Sequence, residues 1–508
     1  MIIKNIALAG HAGTGKTTLL EALLYQGGCV ERMGSVAAGT TVSDAAPEEI
    51  KRHSSVYTAT GSIMLDGQKI NLLDTPGMFD FAGGMVQGIS AADCVMITVS
   101  GKSGVRVGTK KAYRAAEGKP RMFVVTKLDD ENANFYNVLT ELKSAFGPSV
   151  CPVVVPVIAD RKVDSYINLI EMKAYRYDKD GKAQEIPMPT SEVSEKLSYR
   201  VDGLIQAFSE AIAETDEELF EKFFSGEEFT QKERVDGIHK GMRDGTITPV
   251  ACVSAQMLEG VDLLCKEMEL LVPEASDEIT ALNQNGEEVV LHQSPEEPVC
   301  VQVYQTLADP YVGKLSMMRV ISGTLKAGAE LVNSKTGATE KLNKLFFLCG
   351  KKQTETAVAE AGDLVAATKL SANTGDTLCD SSRVVSLPRS SFPTPCYSMA
   401  VRPAARGDEA KVAAAIQKIL EEDQTLSYQQ NPATNEMILS GLGEQHLSAV
   451  VSKLKADFGV DVVLSVPKIA YRETIRKKVK VQGKYKKQSG GHGPVSYTHL
   501  TLPTNSRV

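Results

Sequence analysis

The stretch KNIALAGHAGTGKTTLLEALLYQG, residues 4–27, decides the fold. An apolar run leads into GHAGTGKT at 10–17, and a leucine-rich helical pattern follows it. The match to G-x-x-x-x-G-K-[ST] between a strand and a helix reads as a phosphate-binding loop. Its glycines let backbone N–H groups close around phosphates, Lys16 reaches the outer phosphates, and Thr17 offers a hydroxyl to Mg2+. The helix N-terminus adds its own preference for anions. Taken alone, the motif fits a Gly-rich turn as well, and it does not separate ATP from GTP.

Working outward, further apolar runs KINLLD, CVMITVS, RMFVVTK and VCPVVVPVI alternate with helical patterns. Strands rich in Val, Ile and Leu with helices between them predict a parallel sheet covered on both faces. Residues 160–248 interrupt that rhythm with the hairpin-like MKAYRYDKDGKAQEIPMP and the acidic helical SEAIAETDEELFEKFFSGEEFT. PVACVSA, at 249–255, resumes it, so 160–248 reads as an insertion within a domain spanning 1–280. Short glycine-punctuated strands over 285–385 predict a β-barrel. Two helical patterns with strands around them predict an α+β, ferredoxin-like unit over 392–467, and residues 468–494 open a fourth unit.

Bulk properties agree with several domains. The chain has 508 residues, against a prior of roughly 150 per domain. Apolar residues make up 43% and charged residues 23%, which is enough to fill cores and argues against global disorder. No apolar run approaches the roughly 18 residues of a membrane span. The N-terminus lacks the pattern of a signal peptide, which places the chain in the cytoplasm. Nine cysteines without a C-x-x-C pair or a His at ligand spacing argue against structural zinc and read as small buried hydrophobes. The net charge of −7 opposes binding of nucleic acid by the whole surface.

Three more short motifs follow the phosphate loop in order, each at a predicted strand end. DTPG, residues 74–77, sets Asp74 where a carboxylate assists Mg2+, although an ordinary Asp-Pro-Gly turn fits equally. TKLD, 126–129, names the purine, since the Asp129 carboxylate accepts two hydrogen bonds from the ring N–H and amino group of guanine and adenine offers no such pair. The stem of Lys127 lies along the base. VSA, 253–255, brings a backbone N–H to the guanine carbonyl oxygen. The nucleotide-contacting set is thus Gly10, His11, Ala12, Gly13, Thr14, Gly15, Lys16, Thr17 and Thr18, then Asp74, Thr75, Pro76 and Gly77, then Thr126, Lys127, Asp129, Ser254 and Ala255. Lys16, Asp74 and Gly77 carry the catalytic expectation.

With these motifs in order, the chain resembles the translational GTPases, and most closely the elongation factor G family, over nearly all of residues 1–494. The resemblance extends to EELFEKFFSGEEFT in the insertion, DPYVGKLSMMRVISGTLKAG in the barrel, SGLGEQHLSAVVSKLKADFGVDV in the third unit and PKIAYRETI in the fourth. It implies a monomeric, GTP- and Mg2+-dependent enzyme that acts on the ribosome, through ribosomal RNA and proteins, to move tRNA and mRNA. It also implies that PEEIKRHSSVYT, 47–58, is the first switch segment, with Ser55 at the position of a metal-contacting threonine, so that Thr17, Ser55 and Asp74 form the metal set. Two positions depart from the family pattern. Thr126 stands where asparagine is usual, a change expected to loosen Asp129. Met78 stands where a histidine orients the attacking water, so the chain resembles the elongation factor G-like paralogues more than the housekeeping factor.

The resemblance leaves three further expectations. A ribosomal protection or release-type factor, or a GTP-gated ribosome-binding protein with little hydrolysis, are the alternatives. The basic run RKKVKVQGKYKK, 476–487, meets ribosomal RNA phosphates, while His446 and His492 take no catalytic role. VSYTHLTLPTNSRV, 495–508, does not continue the family pattern and reads as a non-native, adapter-derived tail on a C-terminally truncated reading frame.

Overall fold

A computed structural model describes residues 1–159, 162–189, 192–194, 199–274, 278–309, 313–405, 407–473, 480–486 and 495–501. Its first unit is built on a seven-stranded sheet. The strands are β1 (Ile3–Gly10), β2 (Ala59–Leu65), β3 (Gln68–Asp74), β4 (Cys94–Ser100), β5 (Arg121–Thr126), β6 (Val150–Pro152) and β7 (Thr248–Cys252), in the spatial order β2-β3-β1-β4-β5-β7-β6. Every residue of β1 and β4 is buried, as expected of strands covered on both faces. Helices α1 (Lys16–Gln26), α2 (Pro47–Arg52), α3 (Ala82–Ala91), α4 (Val107–Ala115), α5 (Phe135–Phe146) and α6 (Val261–Leu271) belong to this unit.

The structure corrects the expected sheet in two places. β2 runs antiparallel to β3, so the sheet is mixed rather than wholly parallel. The reason is local: β2 and β3 are joined by Asp66 and Gly67, both at positive φ, and a two-residue turn joins only antiparallel neighbours. The second correction concerns VCPVVVPVI, which is not one strand. Val150–Pro152 adds to the parallel sheet beside β7, whereas Val154–Ala159 leaves it and starts a separate antiparallel sheet with Lys162–Asn168, Lys173–Tyr177 and Ala183–Ile186. The hairpin read from MKAYRYDKDGKAQEIPMP is present, turning at Gly181. Helices Val201–Ala213, Glu217–Phe224 and Gln231–Asp244 complete this insertion, the last opened by a Thr230–Glu233 capping box.

The second unit centres on an eight-stranded antiparallel sheet whose longest pair is Cys300–Asp309 with Gly313–Ser322. Val301, Val303, Met318, Leu331 and Leu378 fill its core. The third unit runs Tyr397–Pro403, helix α7 (Glu409–Glu422), Ser427–Gln430, Met437–Gly441, helix α8 (Glu444–Phe458) and Val462–Ser465. In space its second strand lies beside the third, the third beside the first and the first beside the fourth, which is the ferredoxin-like arrangement. Six of the cysteines, among them Cys94, Cys252 and Cys300, are buried thiols.

The units are tied by polar contacts at their seams. Lys69 Nζ donates to Asp363 Oδ1 at 2.5 Å, Arg319 pairs with Asp93, and Gln305 Nε2 donates to the Thr58 carbonyl at 3.2 Å. At the third unit, the backbone N–H groups of Gln445 and His446 donate to Asp80 Oδ2 at 2.9 and 3.3 Å. From α2, Arg52 donates to Gln445 Oε1 and to Ser448 Oγ at 2.5 and 2.9 Å, so α8 is gripped from two sides. His446 is buried and structural: its Nδ1 accepts from the Leu442 N–H at 3.1 Å, and its Nε2 lies 2.8 Å from Asp423 Oδ2. Of the basic run, 480–486 form a strand paired antiparallel with Val495–Thr501. Residues 476–479 and 487, His492 and the tail from 502 lie outside the described residues.

Candidate nucleotide site

β1 delivers the phosphate loop to the open end of the sheet. At Gly10 a Cβ would lie 2.6 Å from the Thr98 carbonyl oxygen of the neighbouring strand, so no side chain fits there. Gly15 caps α1 in the left-handed region, at φ 89°, and makes Lys16 the first helical residue. The Lys16 ammonium folds back over the loop and donates to the carbonyls of Gly10 and His11 at 3.2 and 3.1 Å. Burial pushes it down to about 8, against the pull of Asp74 and Asp44.

β1–β3 pairing sets Asp74 beside Leu8, just before the loop. Thr17 Oγ1 donates to Asp74 Oδ2 at 2.7 Å and lies 3.2 Å from Ser55 Oγ. The three expected metal-binding side chains therefore converge. Asp74 Oδ1 is buried and has no partner among the described residues. Two hydroxyls and a carboxylate with a free oxygen form a hard-oxygen donor set, which fits Mg2+. Burial, reinforced by the Asp44 charge, pushes Asp74 up to about 7.

Asp44 itself escaped sequence reading. It is 4% exposed and lines the same cavity of about 180 Å³ as Gly13, Lys16, Thr17, Ser55 and Gly77. Burial raises its carboxyl, and the Ser55 hydroxyl and Lys16 partly offset this. A single aspartate in a polar loop carries no motif, and only the folded position of residues 43–55 reveals it. Two more carboxylates shape that segment. Glu21 accepts from the backbone of Gly34 and Val42 at 2.8 and 2.6 Å, and Glu49 accepts from Ala46, Val56 and Tyr57 at 3.0, 3.0 and 3.1 Å. Gly77 closes the cavity from the other side, and a Cβ on it would lie 2.8 Å from the Ala12 nitrogen.

A second cavity, of about 450 Å³, joins the first at Gly15, Thr18 and Lys127. Thr126, Asp129 and Ala255 line it. Lys127 holds φ 59° and carries its stem across the phosphate loop, its Cε 3.6 Å from where a Gly15 Cβ would sit. Thr126 does more than substitute for asparagine. Its hydroxyl donates to the Thr14 carbonyl at 2.5 Å and so ties β5 to the phosphate loop. Asp129 is exposed to the cavity, and its Oδ1 accepts from the buried Ser254 hydroxyl at 2.8 Å.

Other expected residues point elsewhere. Thr14 Oγ1 pairs with Thr98 Oγ1 at 2.7 Å, and Thr75 Oγ1 donates to the Leu8 carbonyl at 2.7 Å, so both fix the scaffold. Pro76 is buried against Gly84, and the His11 ring faces Phe79 with centroids 5.8 Å apart. Met78 joins an apolar cluster of Val56, Tyr57, Phe81 and Ala449, where its thioether packs.

Comparison with known proteins shows which family the chain resembles. The model of the elongation factor Tu GTP binding domain matches residues 1–274, that of elongation factor G domain 2 matches 298–381, and that of elongation factor G domain III matches 392–466. An elongation factor G-like protein of Thermotoga maritima is 34% identical over 505 residues, covering 98% of this chain and 72% of that protein. Elongation factor G of Thermotoga neapolitana is 33% identical over 507 residues, with the same coverage of 98% and 72%. A crystal structure of a Thermus thermophilus protein superposes with a TM-score of 0.84 at 36% identity, covering 98% of this chain and 72% of that one.

Proposed function

The chain belongs to the elongation factor G family of translational GTPases, and from that premise we propose that it binds GTP with Mg2+ and hydrolyses it on the ribosome to drive movement of tRNA and mRNA. The observation that carries the proposal is the meeting of Thr17 with both Ser55 and Asp74, where Thr17, Ser55 and Lys16 line a cavity that shares Gly15, Thr18 and Lys127 with the one Asp129 lines.

Each residue has a part. Backbone N–H groups of residues 13–17 and the Lys16 ammonium take the phosphates, while Thr17, Ser55 and Asp74 hold the metal. When bound, Mg2+ supplies neutralisation of the charge on the outer phosphates. Gly77 brings its backbone amide to the cavity without a side chain in the way. Asp129 accepts from the guanine ring N–H and amino group, Lys127 lies along the base, and the Ala255 amide meets the guanine carbonyl oxygen. Charge neutralisation is usually the larger share of phosphoryl-transfer catalysis, so hydrolysis is retained although the Met78 thioether, at most a weak acceptor, carries no proton and orients water poorly. Other groups, those of the ribosome included, orient that water. The basic run 476–487 meets ribosomal RNA, and the protein works as a monomer in the cytoplasm.

Single-turnover GTP cleavage with and without ribosomes tests the proposal. Ribosome-stimulated phosphate release is expected, and its absence overturns the enzymatic reading. The packing of Met78 into an apolar cluster favours a second reading, a GTP-gated ribosome-binding protein with little hydrolysis. That reading predicts GTP-dependent ribosome binding without phosphate release.

A further inference from the structure

The loop that follows β7 faces the base cavity, and the insertion holds it. Ser254 and Glu259 close this loop with two reciprocal bonds: the Ser254 N–H donates to the Glu259 carbonyl at 2.9 Å, and the Glu259 N–H to the Ser254 carbonyl at 3.1 Å. On one side of this rung the Ser254 hydroxyl, fully buried, fixes Asp129 Oδ1 at 2.8 Å. On the other, Glu259 Oε2 accepts from the Tyr166 phenol at 3.1 Å. Tyr166 is 1% exposed and sits on Lys162–Asn168, the second strand of the insertion's sheet.

A second phenol stands beside the first. Tyr177 meets the Tyr166 ring edge-on with centroids 5.4 Å apart, and its hydroxyl donates to Asp262 Oδ1 at 2.5 Å in the first turn of α6. Gly260 lies between the two gripped carboxylates, and a Cβ there would come 3.5 Å from Tyr166 Cε1. Burial pushes the Tyr166 phenol well above its usual value, so it stays a donor across the physiological range. Hydrogen bonds joined through the covalent frames of Glu259 and Ser254 thus link the insertion to one oxygen of Asp129.

The geometry points to Tyr166 as a positioning residue for purine recognition: through Glu259 and the Ser254 rung it sets the plane of the Asp129 carboxylate, so that the insertion tunes how selectively guanine is held. This rests on the reading of Asp129 as the guanine acceptor. Its substrate-level consequence concerns the exocyclic amino group, since a carboxylate turned out of plane loses one of its two bonds to guanine first.

The full chain tests this with GTP and inosine triphosphate, which lacks that amino group. Dissociation constants are measured for the parent, Tyr166→Phe, Glu259→Ala and the double variant. The parent is expected to prefer GTP. Each single substitution is expected to shrink that preference about three- to tenfold, and the double variant to lose no more than either single one. A GTP preference unchanged in the variants, equal losses for both nucleotides, or additive losses in the double variant overturn the inference. A parent that fails to separate the two nucleotides overturns the reading of Asp129 instead.

Discussion

The proposed phosphate end and the proposed base end of the nucleotide site are built by different means. The phosphate end comes from one continuous loop, residues 10–17, joined by Asp74 through strand pairing. Its polar groups are buried, Lys16 at 6% and Asp74 at 1% exposure; Lys16 donates to two loop carbonyls and Asp74 accepts from Thr17. The base end has an exposed carboxylate, Asp129, whose support starts 125 residues away in sequence at Ser254 and continues into the insertion. On the proposed reading, binding of phosphates depends on local backbone geometry, while selection of the base depends on a distant scaffold. The second is the end that changes elsewhere in the fold reach more easily.

Substitutions at the two ends should break the site in different ways. Lys16→Ala removes the cation that faces the phosphates and is expected to weaken GTP binding about 100-fold or more, by calorimetric titration. Asp129→Asn leaves the phosphate end intact and should cost GTP about 30-fold while raising affinity for xanthosine triphosphate. Unchanged GTP affinity in that variant would remove Asp129 from the base site.

Two further changes sharpen the contrast. Glu267 on α6 is fully buried, accepts from Asn168 Nδ2 of the insertion at 2.8 Å, and is pushed up to about 8 by that burial. An unfolded glutamate ionises near 4.5, so the folded chain holds a proton that the unfolded chain has released, and the parent loses stability as pH rises from there to about 8. Glu267→Gln has no such proton and should gain about 3 kcal/mol on the parent in melts compared at pH about 5 and about 8. An equal gain at both values would contradict this. The smallest effect is expected for Thr126→Val, which cuts the tie from β5 to the Thr14 carbonyl. It should cost about 1 kcal/mol and speed release of nucleotide about fivefold, seen with a fluorescent analogue, for GTP and inosine triphosphate alike.

Legibility in the sequence follows the same division. Residues 10–17 could be read because strand, glycines and helix adjoin in the chain, and the ends of β3 and β5 because apolar runs announce them. Asp44, Glu21 and Glu49 could not, since their roles exist only once residues 28–58 fold over α1. The break at Val153 within VCPVVVPVI was hidden for a related reason: an apolar run shows burial but not which of two sheets receives it. The Thr126 hydroxyl reaches the Thr14 carbonyl, a contact that sequence alone does not place nearby.

The grip on α8 has a consequence of its own. Asp80 holds the start of that helix from the segment after Gly77, and Arg52 holds it from the segment before Ser55. Asp80 follows Gly77 as closely in the chain as Ser55 follows Arg52, and each stretch spans at most about 10 Å. Neither the walls of the phosphate cavity nor the helix end has much slack. If one wall withdrew, the other would still hold the start of α8, and the third unit would keep its contacts from Glu422 to Ala308 and Gln87.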